Sequence, residues 1–385
     1  MIIKPKNKRK PAAINLQTTK SIDHRPKVIN LAVFGHGNVG STLINQILKS
    51  AKSIEEKKGI KLNIFAIANS KKVLLDKKGI DENWKDLIEL SNISSNVSTL
   101  IQFAKDHHLE NLIAIDNTAS STFIANYSQL VNSGFDLISS NKMANTIDLG
   151  FYKALRKTLS KNQKEYLYET NVGAGLPLID TIKWLHLSGE NITKIKGVFS
   201  GTLSYLFNTF SGKNLPFSDV LNEAIARGYT EPDPREDLNG NDVGRKLLIL
   251  ARELDLENEF ADIVIENLIP KPLREVGVGN FLNQLDAFNQ IYHTKKAEQL
   301  ENHVLRYVGE LSGDLQQNKG ELSVKLISVP ANSAIGALQG SDSIFEIYTE
   351  SYGNQPIIIQ GAGAGAGVTA RGVFGDILRL SNKKF

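Results

Sequence analysis

Cysteine is absent from all 385 residues, which excludes disulfide scaffolds, zinc–thiolate sites, iron–sulfur clusters and thiol nucleophiles. Any chemistry must use other side chains. Long apolar runs are missing too, and no stretch approaches the ~18 residues that a membrane span needs. Charge of one sign is scarce: 45 Lys and Arg stand against 41 Asp and Glu, a formal net charge of +4. Much of that excess falls in the first residues, so it gives no argument for nucleic acid. A soluble, cytoplasmic protein with neither a nucleic-acid nor a membrane partner is expected. What remains, 41% hydrophobic and 22% charged, is an ordinary globular composition, so collagen-like, low-complexity and wholly disordered chains are ruled out. The length suggests two or three domains, with enough apolar residues for a sizeable core.

Residues 1–27 hold Lys4, Lys6, Lys8, Arg9, Lys10, Lys20, Arg25 and Lys27 against the single acid Asp23. With little apolar periodicity they read as a flexible basic tail, a targeting or nucleic-acid segment being the alternative. At Val28 the texture changes. The apolar, β-branched run Val28 to Phe34 ends at Gly35 and predicts a buried strand; Val39, Leu43, Ile44, Ile47 and Leu48 then recur at helical spacing, and a second strand-like run spans Leu62 to Ala68. The alternation continues through strands at 111–116 and 135–139 with a helical stretch at 122–131, which implies a parallel sheet covered on both faces. Strand-like stretches at 192–200, 304–308, 322–329 and 344–349, with helical patterns at 218–227 and 242–254, predict an α+β second domain with an open mixed sheet. The one low-complexity patch is the Gly/Ala alternation from Gly361 to Gly367.

Gly35-His36-Gly37-Asn38-Val39-Gly40 fits G-x-G-x-x-G and sits directly after a predicted strand and before an amphipathic helix. In such a turn the first glycine permits the bend, the second admits a pyrophosphate and the third lets helix and strand pack closely. The helix N-terminus then offers N–H groups and a positive dipole to the phosphates. The bland alternative is a tight β–α turn without a ligand. Read as a dinucleotide site, the turn predicts a Rossmann-type doubly wound sheet. After Ala68 the chain reads Asn69-Ser70-Lys71-Lys72; no acid is there to grip a ribose 2′-hydroxyl, so NADP is permitted and slightly preferred over NAD. His36 reads as a loop residue.

The densest chemistry lies between Gly228 and Lys246. Pro232 and Pro234 prevent an early regular helix, so the first part is expected to be a shaped loop, with helix beginning near Asn239 or Asn241 as N-caps. Asp242 and Lys246, four apart, share one helix face. A surface ion pair is the bland reading, but the apolar run Leu247 to Ala251 buries this helix. A partly buried lysine beside carboxylates can donate a proton to a nascent alkoxide. A calcium loop is rejected, because its frame would place Arg235 and Lys246 where oxygen ligands are required.

These residues resemble the homoserine dehydrogenase family, most closely the dehydrogenase half of bifunctional aspartokinase–homoserine dehydrogenases. The resemblance runs from about Lys27 to Arg379. It rests on Gly228 through Lys246, Thr170 through Pro177, Ser200 through Tyr205, and the glycine-rich stretch that ends at Val368-Thr369-Ala370. It implies reversible NAD(P)H-dependent reduction of L-aspartate 4-semialdehyde to L-homoserine, on the route to threonine and methionine. It further implies that Lys246 donates the proton, that Lys142 is a second cation near the cofactor and reacting oxygen, and that Asp242 orients Lys246. Glu231, Asp237, Gly201, Thr202 and Tyr229 are implied for substrate; Gly35, Gly37, Asn38, Val39, Gly40, Asn69, Ser70, Thr118, Lys142 and Gly365 for the cofactor; and Glu169, Val172, Ala174 and Leu176 for a monovalent cation such as sodium or potassium. Residues 28–168, completed by 357–385, become the dinucleotide-binding domain, and 169–356 the substrate-binding and dimerisation domain of a homodimer. Departures are Gly244, where the family usually has alanine, and Arg371 in place of a small residue. With neither a kinase half nor a regulatory ACT domain in the resemblance, threonine inhibition by that route is not expected.

Overall fold

The computed structural model describes residues 26–382; the basic tail, up to Arg25, lies outside the described residues. The chain first builds a sheet from β1 (Lys27–Phe34), β2 (Ile60–Ala68), β3 (Val73–Leu75), β4 (Leu112–Asp116), β5 (Asp136–Ser139) and β6 (Tyr166–Leu167). Their spatial order is β3-β2-β1-β4-β5-β6, the doubly wound arrangement. All neighbours are parallel except the three-residue edge strand β3, which runs antiparallel to β2. Only Asn69 to Lys72 separate β2 from β3, too few residues for a parallel crossover.

Strand alternation decides what each face touches. Ile29, Leu31 and Val33 of β1 join one apolar cluster, and Ala32 and Phe34 join another on the opposite face. The first cluster is closed by the helix Asn38–Lys58, through Leu43, Ile44 and Ile47, and by the helix Ala366–Ser381, through Ala370, Val373, Phe374, Ile377 and Leu380. Each such side chain, when fully buried, contributes about 1.5–3 kcal/mol. The helix Asn38–Lys58 stops at Gly59, whose left-handed φ of 63° lets its N–H reach Glu55 O.

The second sheet contains β7 (Ile192–Val198), β8 (Val264–Ile265), β9 (His303–Ser312), β10 (Glu321–Pro330), β11 (Asp342–Thr349) and β12 (Ile357–Ala362), in the order β12-β11-β7-β9-β10-β8. Only β8–β10 is parallel, so the sheet is mixed. Helices Gly201–Gly212, Phe217–Ala226 and Asn241–Glu253 pack with it into one large core. Within β9, Arg306 is 3% exposed and donates to the carbonyls of Leu305 (2.8 Å), Ile335 (3.2 Å) and Gly336 (2.6 Å). It thereby pins the loop that follows β10. Segment 357–362, expected in the dinucleotide-binding domain, is the edge of this second sheet instead; the chain returns to the first layer only with the helix Ala366–Ser381.

Candidate active site

The glycine turn is built from three different constraints. Gly35 has φ 83°, and a Cβ there would lie 2.9 Å from Asn117 O; a Cβ on Gly40 would meet Gly35 O at 2.0 Å. Neither position tolerates a side chain. At Gly37 a Cβ would meet nothing within 4 Å, so the approach to the backbone is open. The helix it precedes has no side-chain cap, leaving the first N–H groups available to an anion. The turn therefore fits a dinucleotide pyrophosphate.

Asn38 and Val39 begin that helix, and the other cofactor candidates sit at the carboxyl ends of neighbouring strands. Asn69 and Ser70 follow β2, Thr118 follows β4, and Lys142 follows β5. Two networks hold these ends. Asp116 accepts from Thr118 N (2.8 Å), Tyr127 OH (2.7 Å) and Asn141 Nδ2 (3.1 Å), and burial pushes its carboxyl above the usual range. Ser140 Oγ donates to Asn117 Oδ1 at 2.9 Å, so the β4 and β5 turns are one unit.

Across from them, the helix Asn241–Glu253 carries the two lysines' shared carboxylate. Asp242 Oδ2 lies 2.8 Å from Lys246 Nζ, and Asp242 Oδ1 lies 3.2 Å from Lys142 Nζ. Lys246 Nζ also donates to Phe199 O at 2.8 Å and its side chain is 12% exposed. Burial alone would push the Asp242 carboxyl up, but the ammonium groups of Lys246 and Lys142 outweigh it and hold the carboxyl well below the usual range. Asp242 is thus ionised and both lysines face it. Arg252, 2% exposed, donates to Asn145 O at 2.8 Å, fastening this helix to the short turn of helix Met143–Thr146 beside Lys142.

The helix begins at Asn241, yet neither expected asparagine caps it. Gly240, with φ 77°, precedes the first turn, and Asn239 Oδ1 accepts from Asn241 N. A Cβ on Gly240 would stand 2.1 Å from Tyr307 Oη, so close packing rather than capping selects this start. Gly244 has a similar cause: a Cβ there would meet Ile265 Cδ1 at 2.8 Å. The preceding loop is not wholly irregular, since Arg235–Leu238 forms a helical turn. Arg235 is clasped by Asp233 (2.7 Å) and donates to Val276 O (2.5 Å), which fixes the loop to the following segment.

The substrate candidates gather around that loop. Glu231 N donates to Asp237 Oδ2 at 2.8 Å, and Thr202 Oγ1 donates to Tyr229 O at 2.5 Å. Burial raises the Asp237 carboxyl, against the backbone hydrogen bond from Glu231 that lowers it. Gly201 starts the helix capped by Ser200; a Cβ there would lie 3.5 Å from Ala364 Cβ, which brings the Gly/Ala stretch against this pocket. Gly365, φ 115°, opens the helix Ala366–Ser381, and Gln46 Nε2 donates to Gly367 O (3.1 Å). Gly365 thus stands where the last helix meets the helix of the glycine turn.

The cation candidates are placed differently. The Glu169 carboxylate accepts from Ile179 N (2.7 Å) and Asp180 N (3.0 Å), serving the N-terminus of helix Leu178–Leu187. Burial, with Asp180 and Asp376 nearby, pushes it up to about 8. Val172, Ala174 and Leu176 lie in a turn with left-handed Gly173 (φ 77°) and Ala174 (φ 53°); Leu176 O already accepts from Leu178 N. Among the described residues no group of three or more His, Cys, Asp or Glu side chains could hold a metal. Arg371, the other departure, sets its guanidinium 5.6 Å from the Phe374 ring.

Sequence reasoning missed the Phe199 carbonyl, the Asp116 network and the Arg252 strut. A carbonyl has no sequence signal, and Arg252 was hidden in an apolar run. It also missed the pairing of His36 with Asn69, Asn69 Nδ2 lying 3.1 Å from His36 Nε2.

Comparison with known proteins places this geometry. A family model described as homoserine dehydrogenase matches residues 177–378, and one described as the NAD binding domain of homoserine dehydrogenase matches residues 35–169. A bifunctional aspartokinase/homoserine dehydrogenase of Haemophilus influenzae is 36% identical over 365 residues, covering 94% of this chain and 44% of that protein. The chain thus spans less than half the length of such bifunctional relatives. The homoserine dehydrogenase of Saccharomyces cerevisiae is 36% identical over 368 residues, covering 93% of this chain and 99% of that protein. A crystal structure of a Candida auris protein described as of unknown function superposes with a TM-score of 0.84 at 34% identity, covering 93% of this chain and 99% of that one.

Proposed function

The chain belongs to the homoserine dehydrogenase family, and from that premise we propose that it catalyses the reversible NAD(P)H-dependent reduction of L-aspartate 4-semialdehyde to L-homoserine. The observation that carries the reading is the Lys246–Asp242–Lys142 array, set between a dinucleotide turn and a carboxylate loop. A bound reduced nicotinamide supplies the hydride. As negative charge builds on the aldehyde oxygen, the ammonium groups of Lys246 and Lys142 stabilise it without reorganising. Lys246 then gives its proton to the alkoxide, and Asp242 holds that ammonium in place. Phe199 O holds a second of its three N–H bonds. Glu231 takes the substrate ammonium, Asp237 supports the Glu231 backbone, and Gly201, Thr202 and Tyr229 line the pocket. The same reading gives Glu169, Val172, Ala174 and Leu176 backbone oxygens for a monovalent cation, a homodimer built through the second sheet, and a place in threonine and methionine biosynthesis. No helix among the described residues is long and apolar enough to cross a membrane, and a cytoplasmic enzyme is proposed.

The test follows reduced-nicotinamide absorbance while aspartate 4-semialdehyde is added, with NADPH and NADH in parallel. Consumption that disappears in Lys246→Ala, with unchanged thermal unfolding, is expected. No consumption with either cofactor by a chain that binds them, or wild-type kcat in the variant, would sink the assignment.

A further inference from the structure

In a doubly wound dinucleotide fold, the end of the second strand reads the adenosine ribose, usually with a carboxylate that accepts from the 2′-hydroxyl. Here that place is held by Asn69, and Asn69 has no acceptor to spare. Its Oδ1 already accepts from Lys71 N and Lys72 N, each at 2.8 Å. Those two bonds also settle which end of the amide is which, so Nδ2 is the atom 3.1 Å from His36 Nε2. An amide nitrogen only donates. His36 Nε2 therefore accepts, and the neutral ring carries its hydrogen on Nδ1.

The ring is restrained from a second side. It meets Trp84 edge-on with centroids 5.5 Å apart, and Trp84 is itself 1% exposed. The turn and β2 are tied as well, Gly35 N donating to Ala68 O at 2.8 Å. His36 is thus a histidine inside the phosphate turn whose orientation is set by the residue that ends β2. Its Nδ1–H makes no hydrogen bond given by the geometry of the described residues. Beside it stand the exposed Ser70 and Lys71, while Lys72 is engaged with Glu89. The Asn69 acceptor is spent, no carboxylate is at hand, and the free groups are the His36 N–H, the Ser70 hydroxyl and the Lys71 ammonium, a chemistry suited to a phosphate dianion.

We propose that His36, positioned by Asn69, reads the 2′ substituent of the adenosine ribose and selects the 2′-phosphate, so that the chain is an NADP enzyme. This rests on the dinucleotide-dependent dehydrogenase reading given above.

The experiment is calorimetric titration of the full chain with NADP⁺ and with NAD⁺, no substrate present. Wild type binds NADP⁺ about tenfold or more tighter than NAD⁺, and His36→Ala weakens NADP⁺ about tenfold while changing NAD⁺ by about threefold or less. His36→Arg, which keeps a donor, retains the preference, and Asn69→Asp, which adds a carboxylate, moves it toward NAD⁺. Should His36→Ala not fold, His36→Leu and Asn69→Asp carry the same comparison. A wild-type preference for NAD⁺, or equal weakening of both nucleotides in the His36 variants, overturns the proposal. Binding of neither nucleotide by wild type is a different failure, that of the dehydrogenase reading itself.

Discussion

Asp242→Asn is the substitution that separates the electrostatic account of the site from a merely structural one. The carboxylate touches two ammonium groups, at 2.8 and 3.2 Å, and its replacement leaves both of them beside a neutral amide. A lysine ammonium and a carboxylate about 4 Å apart attract by about 4 kcal/mol at an effective dielectric near 20, and the substitution removes that attraction. Asp242's side chain is 44% exposed, and solvent screening brings the figure toward about 2 kcal/mol. Because the native carboxyl is held below the usual range, it stays ionised across any assay near neutrality, and its charge is fully present in wild type. The variant should therefore show kcat/KM lowered by about 10²–10³, read from initial rates of reduced-nicotinamide consumption. Its thermal unfolding should barely move, since a half-exposed pair contributes under about 1 kcal/mol. A variant that keeps kcat/KM within about threefold of wild type refutes the reasoning.

Two further outcomes concern stability. Arg306 is buried and donates to backbone carbonyls, so Arg306→Met takes a donor from each of them and should cost about 1–3 kcal/mol, seen as a lowered urea midpoint; an unchanged midpoint would show that the loop after β10 holds itself. Burial pushes Asp376 up to about 7, so the fold prefers its protonated form. That contribution is fully present below the unfolded carboxylate range near 3.9 and is lost as pH rises through about 7. Asp376→Asn should accordingly flatten the fall in unfolding temperature between pH 5 and 8, by up to about 1–3 kcal/mol, and an undiminished slope assigns the fall elsewhere.

Much of this architecture can be read from residue order because its determinants are local. The run Val28 to Phe34, closed by Gly35, states a buried strand and a turn within about ten residues, and the glycine spacing states which backbone positions must be bare. The Asp242–Lys246 face is likewise a matter of helical period. What escaped the sequence depends on partners far along the chain. The start of helix Asn241–Glu253 is set by Tyr307 and Ile265 pressing on Gly240 and Gly244, not by the nearby asparagines. The assignment of 357–362 to the second sheet depends on pairing with β11, and the antiparallel β3 depends on the length of a connection. His36 looked like a spacer in the turn until Asn69, 33 residues away, was seen to face it.

The helix Ala366–Ser381 has a consequence for how the molecule is made. It supplies Ala370, Val373, Phe374, Ile377 and Leu380 to the layer begun by Ile29 and Leu43, so the first lobe to leave the ribosome is completed by the last described segment to do so. Until then the stripe of Leu43, Ile44 and Ile47 has no cover on that side, and the intervening second lobe must fold while its neighbour is still unfinished. Such long sequence separation slows closure and prolongs the exposure of apolar surface during synthesis. The two lobes are separate in their sheets but not in their biogenesis, and the first is the one that waits.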